Sequence, residues 1–274
     1  MIIVVSNTKG GVGKSAFSMQ VAAPYVYTRK GSVTLFEIDD YNFDSDDYRE
    51  SVIETISLKL NKGIGRVIER LVEAAVSNKH LVIDLGGNKT CGEMLEAMGS
   101  SPLKHLIDAF IIPVSQTGKD VENAQKTCNM IKEFIPDSDA KMFLGVTRTP
   151  AGYDMDDVQY LMPDAFELAQ SVGMEECLIL PDNLSIPASR KLGMTVYELG
   201  SHAEKLSSKL NSRLYDEQKK DGDMDIKKVR TISRQVVCVE HSAKMMPHLE
   251  GLFLTIDGAL GGTEKASTKA ATPA

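Results

Sequence analysis

The chain has 274 residues, of which 42% are hydrophobic, and this is enough for one large core. Its net charge of -7 excludes attraction of nucleic acid to the whole surface, so any such binding would need a local basic patch. No apolar run approaches the roughly 18 residues of a membrane-spanning helix, and no signal peptide is recognisable. The four cysteines have no paired spacing, which favours free thiols in a reducing cytoplasm over disulfides or a zinc site.

The chain begins with five apolar residues and a glycine-rich loop that ends in Lys14 and Ser15. This order predicts a strand, a phosphate-binding turn and the N-terminus of a helix. Glycines in the loop allow consecutive backbone N–H groups to face a polyphosphate, Lys14 can reach the outer phosphates, and Ser15 can bind Mg²⁺. Thr8 stands where the general P-loop pattern has glycine.

Helical periodicity follows over residues 14–28, where Pro24 is expected to kink or end the helix, and Gly31 closes the segment. Residues 33–38 form a β-branched and aromatic run that is typical of a buried parallel strand, and an acidic loop follows it. Further along the chain, helices are predicted over residues 51–60, 66–77, 119–134, 155–172 with a break at Pro163, and 203–218. Further strands are predicted over residues 81–84, 108–114, 141–147 and 177–180.

The alternation of strands and helices predicts an α/β fold with a mainly parallel, twisted sheet and helices on both faces. Asp39 follows one predicted strand and Asp84 ends another, and the glycine-rich loop also follows a strand. Because ligands of such sheets bind beyond the carboxyl ends of the strands, we expect these three features to meet at one edge. Asp84 would then hold Mg²⁺ through water while Ser15 ligates it directly.

The loop Lys9-Gly-Gly-Val-Gly-Lys14-Ser15 resembles the deviant Walker A box of the ParA/MinD family of dimeric P-loop ATPases. The resemblance implies a P-loop NTPase of the SIMIBI-like class that uses ATP and Mg²⁺. It also implies an ATP-dependent homodimer, in which Lys9 crosses the interface to the partner's nucleotide. Asp39 stands where the family has the aspartate that orients the attacking water, although Glu37 replaces the first aspartate of that motif.

Residues 179–199 resemble the late segment of the same family, in which a proline-bearing loop lies beside adenine. This implies a base contact at Pro181, whereas Thr147-Arg148-Thr149 stands where relatives usually have an asparagine. The predicted catalytic residues are Lys9, Asp39 and Lys14, and the predicted metal-binding residues are Ser15, Asp84 and Asp39. The predicted nucleotide-binding residues are Lys9, Gly10, Gly11, Val12, Gly13, Lys14, Ser15, Ala16 and Pro181.

The resemblance implies a small partition ATPase that binds DNA nonspecifically and moves a plasmid, a chromosome region or other cargo, with hydrolysis stimulated by a ParB-like partner. The alternative is a MinD-like switch or scaffold that recruits a protein without DNA. Two other members of the class are less compatible with the sequence. A dimer-bridging iron–sulfur cluster would need a second cysteine per subunit besides Cys91, but none lies upstream of Asp84 and Cys128 falls inside a predicted helix. A ligase usually lacks a lysine at the position of Lys9.

The C-terminal part of the chain predicts a division into an ATPase domain (1–218), a helical extension (219–260) and a disordered tail (261–274). The tail has no apolar face, so membrane binding through it is not expected. Four basic residues could lie on one side of a helix and contact DNA phosphates, or form a solvated surface; they are Lys227, Lys228, Arg230 and Arg234. Apolar residues between Leu249 and Ile256 predict a second helix.

Overall fold

A computed structural model describes residues 1–40, 47–115, 118–136, 138–150, 152–174, 176–219 and 225–261, without the side chain of Lys62. Most of the acidic loop that follows Asp39, including Asn42, lies outside the described residues. The predicted disordered tail lies outside them too, apart from Gly261.

Seven strands form one sheet in the order β3-β2-β4-β1-β5-β6-β7, and every strand pair among the described residues is parallel. The strands are β1 (Ile2–Val5), β2 (Thr34–Ile38), β3 (Glu54–Leu58), β4 (Leu81–Leu85), β5 (Ala109–Val114), β6 (Lys141–Thr149) and β7 (Glu176–Pro181). The central strands are apolar and fully buried, as expected for a parallel sheet that is covered on both sides. The predicted α/β class with a parallel sheet is therefore confirmed.

Eleven α-helices are found among the described residues, together with short 3₁₀ helices at Leu60–Lys62 and Pro102–His105. The first six are α1 (Lys14–Phe17), α2 (Ala23–Lys30), α3 (Ile64–Val76), α4 (Asn88–Gly99), α5 (Gly118–Phe134) and α6 (Met155–Leu161). The others are α7 (Pro163–Val172), α8 (Ser185–Leu192), α9 (Val196–Ser201), α10 (Ala203–Gln218) and α11 (Ile226–Ala259).

The helices cover both faces of the sheet, because alternate side chains of each strand point to opposite sides. Ile2 and Val4 of β1 belong to a core that includes side chains of α3, α4, α5 and α7. Ile3 and Val5 belong to the opposite core, which includes side chains of α1, α2, α9 and α11. Helix α1, which follows the glycine-rich loop, and the C-terminal helix α11 therefore share one face of the sheet.

Pro24 does not end the first helical segment, contrary to one of the two predicted outcomes. A π-helical turn, Ser18–Ala22, joins α1 to α2, and Pro24 lies at the start of α2. A proline is tolerated in the first turn of a helix, where its missing N–H group costs least, and the wider π turn precedes it directly. Gly31, with φ of 78°, ends α2 as predicted.

The predicted helix over residues 51–60 is wrong, because residues Glu54–Leu58 form the edge strand β3, which pairs in parallel with β2. Helix α4 was not predicted as an element. The two segments predicted between residues 225 and 258 form one continuous helix, α11, with Pro247 inside it. The second half of α11 buries Leu249 and Phe253 in the core against the sheet. The division at residue 218 stays a prediction.

Candidate functional site

The loop between β1 and α1 has a backbone that only glycine adopts easily. Gly11 and Gly13 have φ values of 75° and 96°. A Cβ atom on Gly13 would lie 2.6 Å from Cγ2 of Thr147. Gly13 therefore combines a left-handed conformation with a close approach to β6, and both requirements exclude a side chain at this position.

Lys14 is buried beneath this loop, and its Nζ donates a hydrogen bond to the carbonyl oxygen of Lys9 at 2.9 Å. Burial lowers the pKa of Lys14 below its ordinary value, while the carboxylates of Asp84 and Asp39 act in the opposite direction. The ammonium group is thus placed at the loop, where an anionic ligand would restore the charge stabilisation that burial removes.

The carboxylates predicted to meet the loop do so. Ser15, Asp39 and Asp84 line one cleft of about 360 Å³, together with Glu37 and several P-loop residues. In the sheet register Glu37 lies opposite Asp84, which in turn lies opposite Val5 at the end of β1. A serine hydroxyl and two carboxylates supply the oxygen donors that Mg²⁺ prefers, so the residues present fit that ion.

Two glycines allow the strand ends to approach the loop closely. A Cβ atom on Gly86 would lie 2.7 Å from Oδ2 of Asp39, and one on Gly87 would lie 2.9 Å from the backbone nitrogen of Gly10. The Gly86 N–H group also donates to the carbonyl oxygen of Ile38 at 2.7 Å. The pair of glycines behind Asp84 is therefore part of the construction of the cleft.

Lys9 is held outside the cleft by its own chain. Its ammonium group pairs with Asp120 in the first turn of α5, and the hydroxyl of Ser115 donates to the same carboxylate. The side chain of Asp120 is only 2% exposed, whereas that of Lys9 is 35% exposed. The backbone N–H group of Lys9 donates to Oδ1 of Asn7 at 2.8 Å, which fixes the start of the loop.

The other predicted nucleotide-binding residues divide into two groups. Gly10, Gly11, Gly13 and Ala16 line the cleft, while Val12 is buried and accepts a hydrogen bond from Thr147 through its carbonyl oxygen at 3.0 Å. Pro181 ends β7 and is not among the described residues that line the cleft. Its contact with a base stays a prediction, as do the roles assigned to the other site residues.

Two arginines that are not among the predicted site residues also line the cleft. Arg148 follows Thr147 in β6, and its Nη2 atom donates to the carbonyl oxygen of Gly11 at 2.8 Å. Arg190 of α8 lies 3.9 Å from a carboxylate oxygen of Asp47. Arg148 belongs to the Thr147-Arg148-Thr149 segment, which stands where the ATPases that this sequence resembles usually have an asparagine, and this difference was a usable signal. Nothing in the sequence indicated Arg190.

The thiols considered as cluster ligands lie in the core. Cys91 of α4 and Cys128 of α5 are buried in the same hydrophobic cluster. Burial raises the pKa of each thiol to about 12. These are the properties of packed structural cysteines in the thiol form.

The basic residues predicted on the C-terminal helix are all on the surface of α11. Lys227, Arg230 and Arg234 have the spacing of one helical face, while Lys228 pairs with the buried Glu217 of α10 at 2.7 Å. Helix α10 exposes further cations at helical spacing, namely Lys205, Lys209 and Arg213. None of the helices in the described part of the chain is long and apolar enough to cross a membrane.

No protein-family model matches this sequence, and no curated protein matches it at a significant level. Solved structures do match this chain. One is a nucleotide-binding protein from Archaeoglobus fulgidus in complex with ADP, with 18% identity, coverage of 70% of this chain and 86% of the other, and a TM-score of 0.45. Another is described as a plasmid partition protein from Borrelia burgdorferi, bound to AMPPNP, with 16% identity, coverage of 68% and 88%, and a TM-score of 0.47. A further Borrelia burgdorferi plasmid partition protein has 15% identity, coverage of 65% and 88%, and a TM-score of 0.46. The solved structures to which this chain is similar thus include nucleotide-binding and plasmid partition proteins.

Proposed function

We propose that this protein is a cytoplasmic ATPase of the deviant Walker A type, which dimerises on ATP and binds DNA nonspecifically in that state. Its task would be to segregate or position a plasmid, a chromosome region or other cargo. The observation that carries the proposal is the convergence of the glycine-rich loop, Ser15, Asp39 and Asp84 in one cleft. Three distant segments of the chain meet there with the donor types that a magnesium nucleotide requires.

The positions of these residues support the following roles. The loop would bind the β- and γ-phosphates through its N–H groups, and Lys14 would neutralise their charge. Ser15, Asp84 and Asp39 would hold Mg²⁺, which supplies charge neutralisation on the phosphate oxygens when bound. Asp39 would orient the attacking water. Such sites act by positioning and electrostatics, so slow hydrolysis is expected until a partner protein, such as a ParB-like adaptor, completes the site.

Dimerisation would depend on Lys9. Within one chain its ammonium group pairs with Asp120, but the Lys9 side chain is 35% exposed and can be reached from solvent. A partner's γ-phosphate would offer a stronger anionic ligand than the carboxylate, and only ATP supplies it. ATP would thereby bias the equilibrium toward the dimer, and hydrolysis would release the two chains.

Nucleotide binding and dimerisation are tested with two lysine variants. Lys14→Ala is expected to abolish binding of Mg-ATP in calorimetry, while Lys9→Ala is expected to retain most of the binding. In sedimentation experiments with a nonhydrolysable ATP analogue, wild-type protein should dimerise and Lys9→Ala should remain monomeric. A Lys9→Ala variant that dimerises with ATP would contradict the deviant Walker A assignment.

The second candidate is an ATP-dependent switch that recruits a protein and does not bind DNA. It is favoured by the exposed apolar side chains of α6, where Tyr160 is 86% exposed, because such residues can form a protein contact. Fluorescence anisotropy with random-sequence duplex DNA separates the two functions. ATP-dependent, salt-sensitive binding supports the partition function, whereas its absence leaves the switch.

A further inference from the structure

Arg148 occupies an irregular position at the end of β6. The pairing of β6 with β7 shifts register between Thr147 and Thr149, and Arg148 between them has a φ of 61°. Both threonines are buried while Arg148 is exposed. β-Bulges next to binding sites commonly redirect one side chain, and a left-handed conformation is costly for an arginine. The irregularity turns this one side chain toward the cleft.

The strand end that carries Arg148 is fixed to the P-loop. The hydroxyl of Thr147 donates to the carbonyl oxygens of Val12 and Val114, each at 3.0 Å. The guanidinium group itself donates to the carbonyl oxygen of Gly11 at 2.8 Å and lines the cleft. Arg148 is therefore positioned by both its backbone and its head group at the border of the phosphate-binding loop.

The sheet order shows which part of a nucleotide would reach this border. Asp39 follows β2 and Asp84 is the second-last residue of β4. Both strands lie on one side of β1, whereas β5, β6 and β7 lie on the other side. A metal and the terminal phosphates would occupy the carboxylate side. The ribose and the base would then extend toward the ends of β6 and β7, where Arg148 lies.

We propose, on the basis of the proposed ATP-binding function, that Arg148 holds the purine base by stacking its guanidinium plane on the face of the ring. Guanidinium is planar and weakly hydrated, and it stacks on aromatic faces. Stacking contacts the face of the base and does not read the hydrogen-bonding groups on its edge. Arg148 therefore supports adenine and guanine about equally, and it contributes nothing to the binding of the phosphates.

The test compares Mg-ATP, Mg-GTP and magnesium tripolyphosphate as ligands of the full chain in titration calorimetry. Arg148→Gly removes the guanidinium and relieves the positive φ, so loss of folding does not obscure the result. We expect this variant to bind ATP and GTP about tenfold more weakly and tripolyphosphate as well as wild type. Arg148→Lys keeps the charge without the plane, and it should not restore nucleotide affinity.

Several results would overturn the inference while leaving ATP binding intact. These are unchanged ATP affinity in Arg148→Gly, an equal loss for tripolyphosphate, or full rescue by Arg148→Lys. If wild-type protein binds neither ATP nor tripolyphosphate, the proposed function itself fails, and the role of Arg148 fails with it.

Discussion

Lys14 has a buried ammonium group whose nearest hydrogen-bond partner is the carbonyl oxygen of Lys9 at 2.9 Å. Burial lowers its pKa from the ordinary value of 10.5, and Asp84 and Asp39 only partly oppose this. The protonated form of Lys14 binds anions, so the affinity for ATP should be highest at pH values below the lowered pKa. The affinity should fall as the pH rises through that pKa, before pH 10.5 is reached. Dissociation constants for Mg-ATP between about pH 7 and pH 10 check this, because the triphosphate is already ionised in that range.

Lys14→Arg is the matched control for this pH profile, since a guanidinium stays charged throughout the range. The affinity of this variant for Mg-ATP should not change with pH, whatever its absolute value. A wild-type profile that is equally flat would show that the protonation of Lys14 does not govern binding under these conditions.

Lys9 and Asp120 form a pair in which only the carboxylate is deeply buried. Lys9→Ala removes the cation that neutralises this buried carboxylate, although the hydroxyl of Ser115 still donates to it, and we expect a loss of about 3 kcal/mol in the free energy of unfolding. Asp120→Asn leaves an ammonium group that water can reach, so a loss of about 1 kcal/mol is expected. Urea unfolding of the two single variants and of the double variant measures the coupling free energy between Lys9 and Asp120. Equal losses for the two single variants would contradict this account.

At the scale of residues, the sequence predicted those site residues that lie in continuous motifs at the ends of strands. The glycine-rich loop, Asp39 and Asp84 could be placed together because each follows a strand, and parallel strands present their ends at one edge. Asp120, Arg148 and Arg190 reach the loop or the cleft from α5, β6 and α8. Their positions depend on tertiary packing and on a bulge, which leave no local pattern.

At the scale of elements, the wrong prediction of β3 has a specific cause. Ile53, Ile56 and Leu60 are spaced three and four residues apart, as on a helical face, yet residues 54–58 form a half-exposed edge strand. An edge strand needs no continuous apolar run, so its β-branched residues were outweighed by the apparent helical period. The buried strands β1, β4 and β5 gave unambiguous apolar runs and were located correctly.

The C-terminal helix α11 contributes to the main core through Phe253, which is 1% exposed and contacts the rings of Tyr25 and Tyr197 at 5.7 and 5.6 Å between centroids. Phe253→Ala should lower the free energy of unfolding by about 3 to 5 kcal/mol, because it leaves a cavity between α11 and α2. Leu254→Ala, one position further along the helix, alters a side chain that is 67% exposed and should cost less than about 0.5 kcal/mol.

Chemical denaturation monitored by far-UV circular dichroism measures both variants. The unfolding curve of Phe253→Ala also tests the predicted domain division at residue 218. If α11 unfolds cooperatively with the predicted ATPase domain, Phe253→Ala shifts the single unfolding transition of the whole chain. A separate, early transition that involves only part of the helical signal would instead favour an independent extension.

At the scale of the whole molecule, the two proposed activities use different surfaces. The proposed nucleotide-binding cleft lies at the carboxyl ends of the strands, whereas the exposed cations lie on α10 and α11, the C-terminal helices. Helix α11 connects the sheet that carries the cleft with the basic surface. Its first half packs with α10, and its second half packs on the sheet face that carries α1.

The overall charge of -7 opposes DNA binding, so the basic face of α11 has to supply the attraction locally. We expect the double variant Arg230→Ala/Arg234→Ala to bind random-sequence duplex DNA more weakly in the presence of ATP. If both arginines contact phosphates, the slope of log affinity against log salt should fall by about 1.8, since each contact contributes about 0.9. Arg66→Ala/Arg70→Ala removes the same charge from the exposed surface of α3 and is the matched control. Fluorescence anisotropy over a potassium chloride series measures both, and equal effects of the two double variants would mean that net charge, rather than a basic face on α11, governs the interaction.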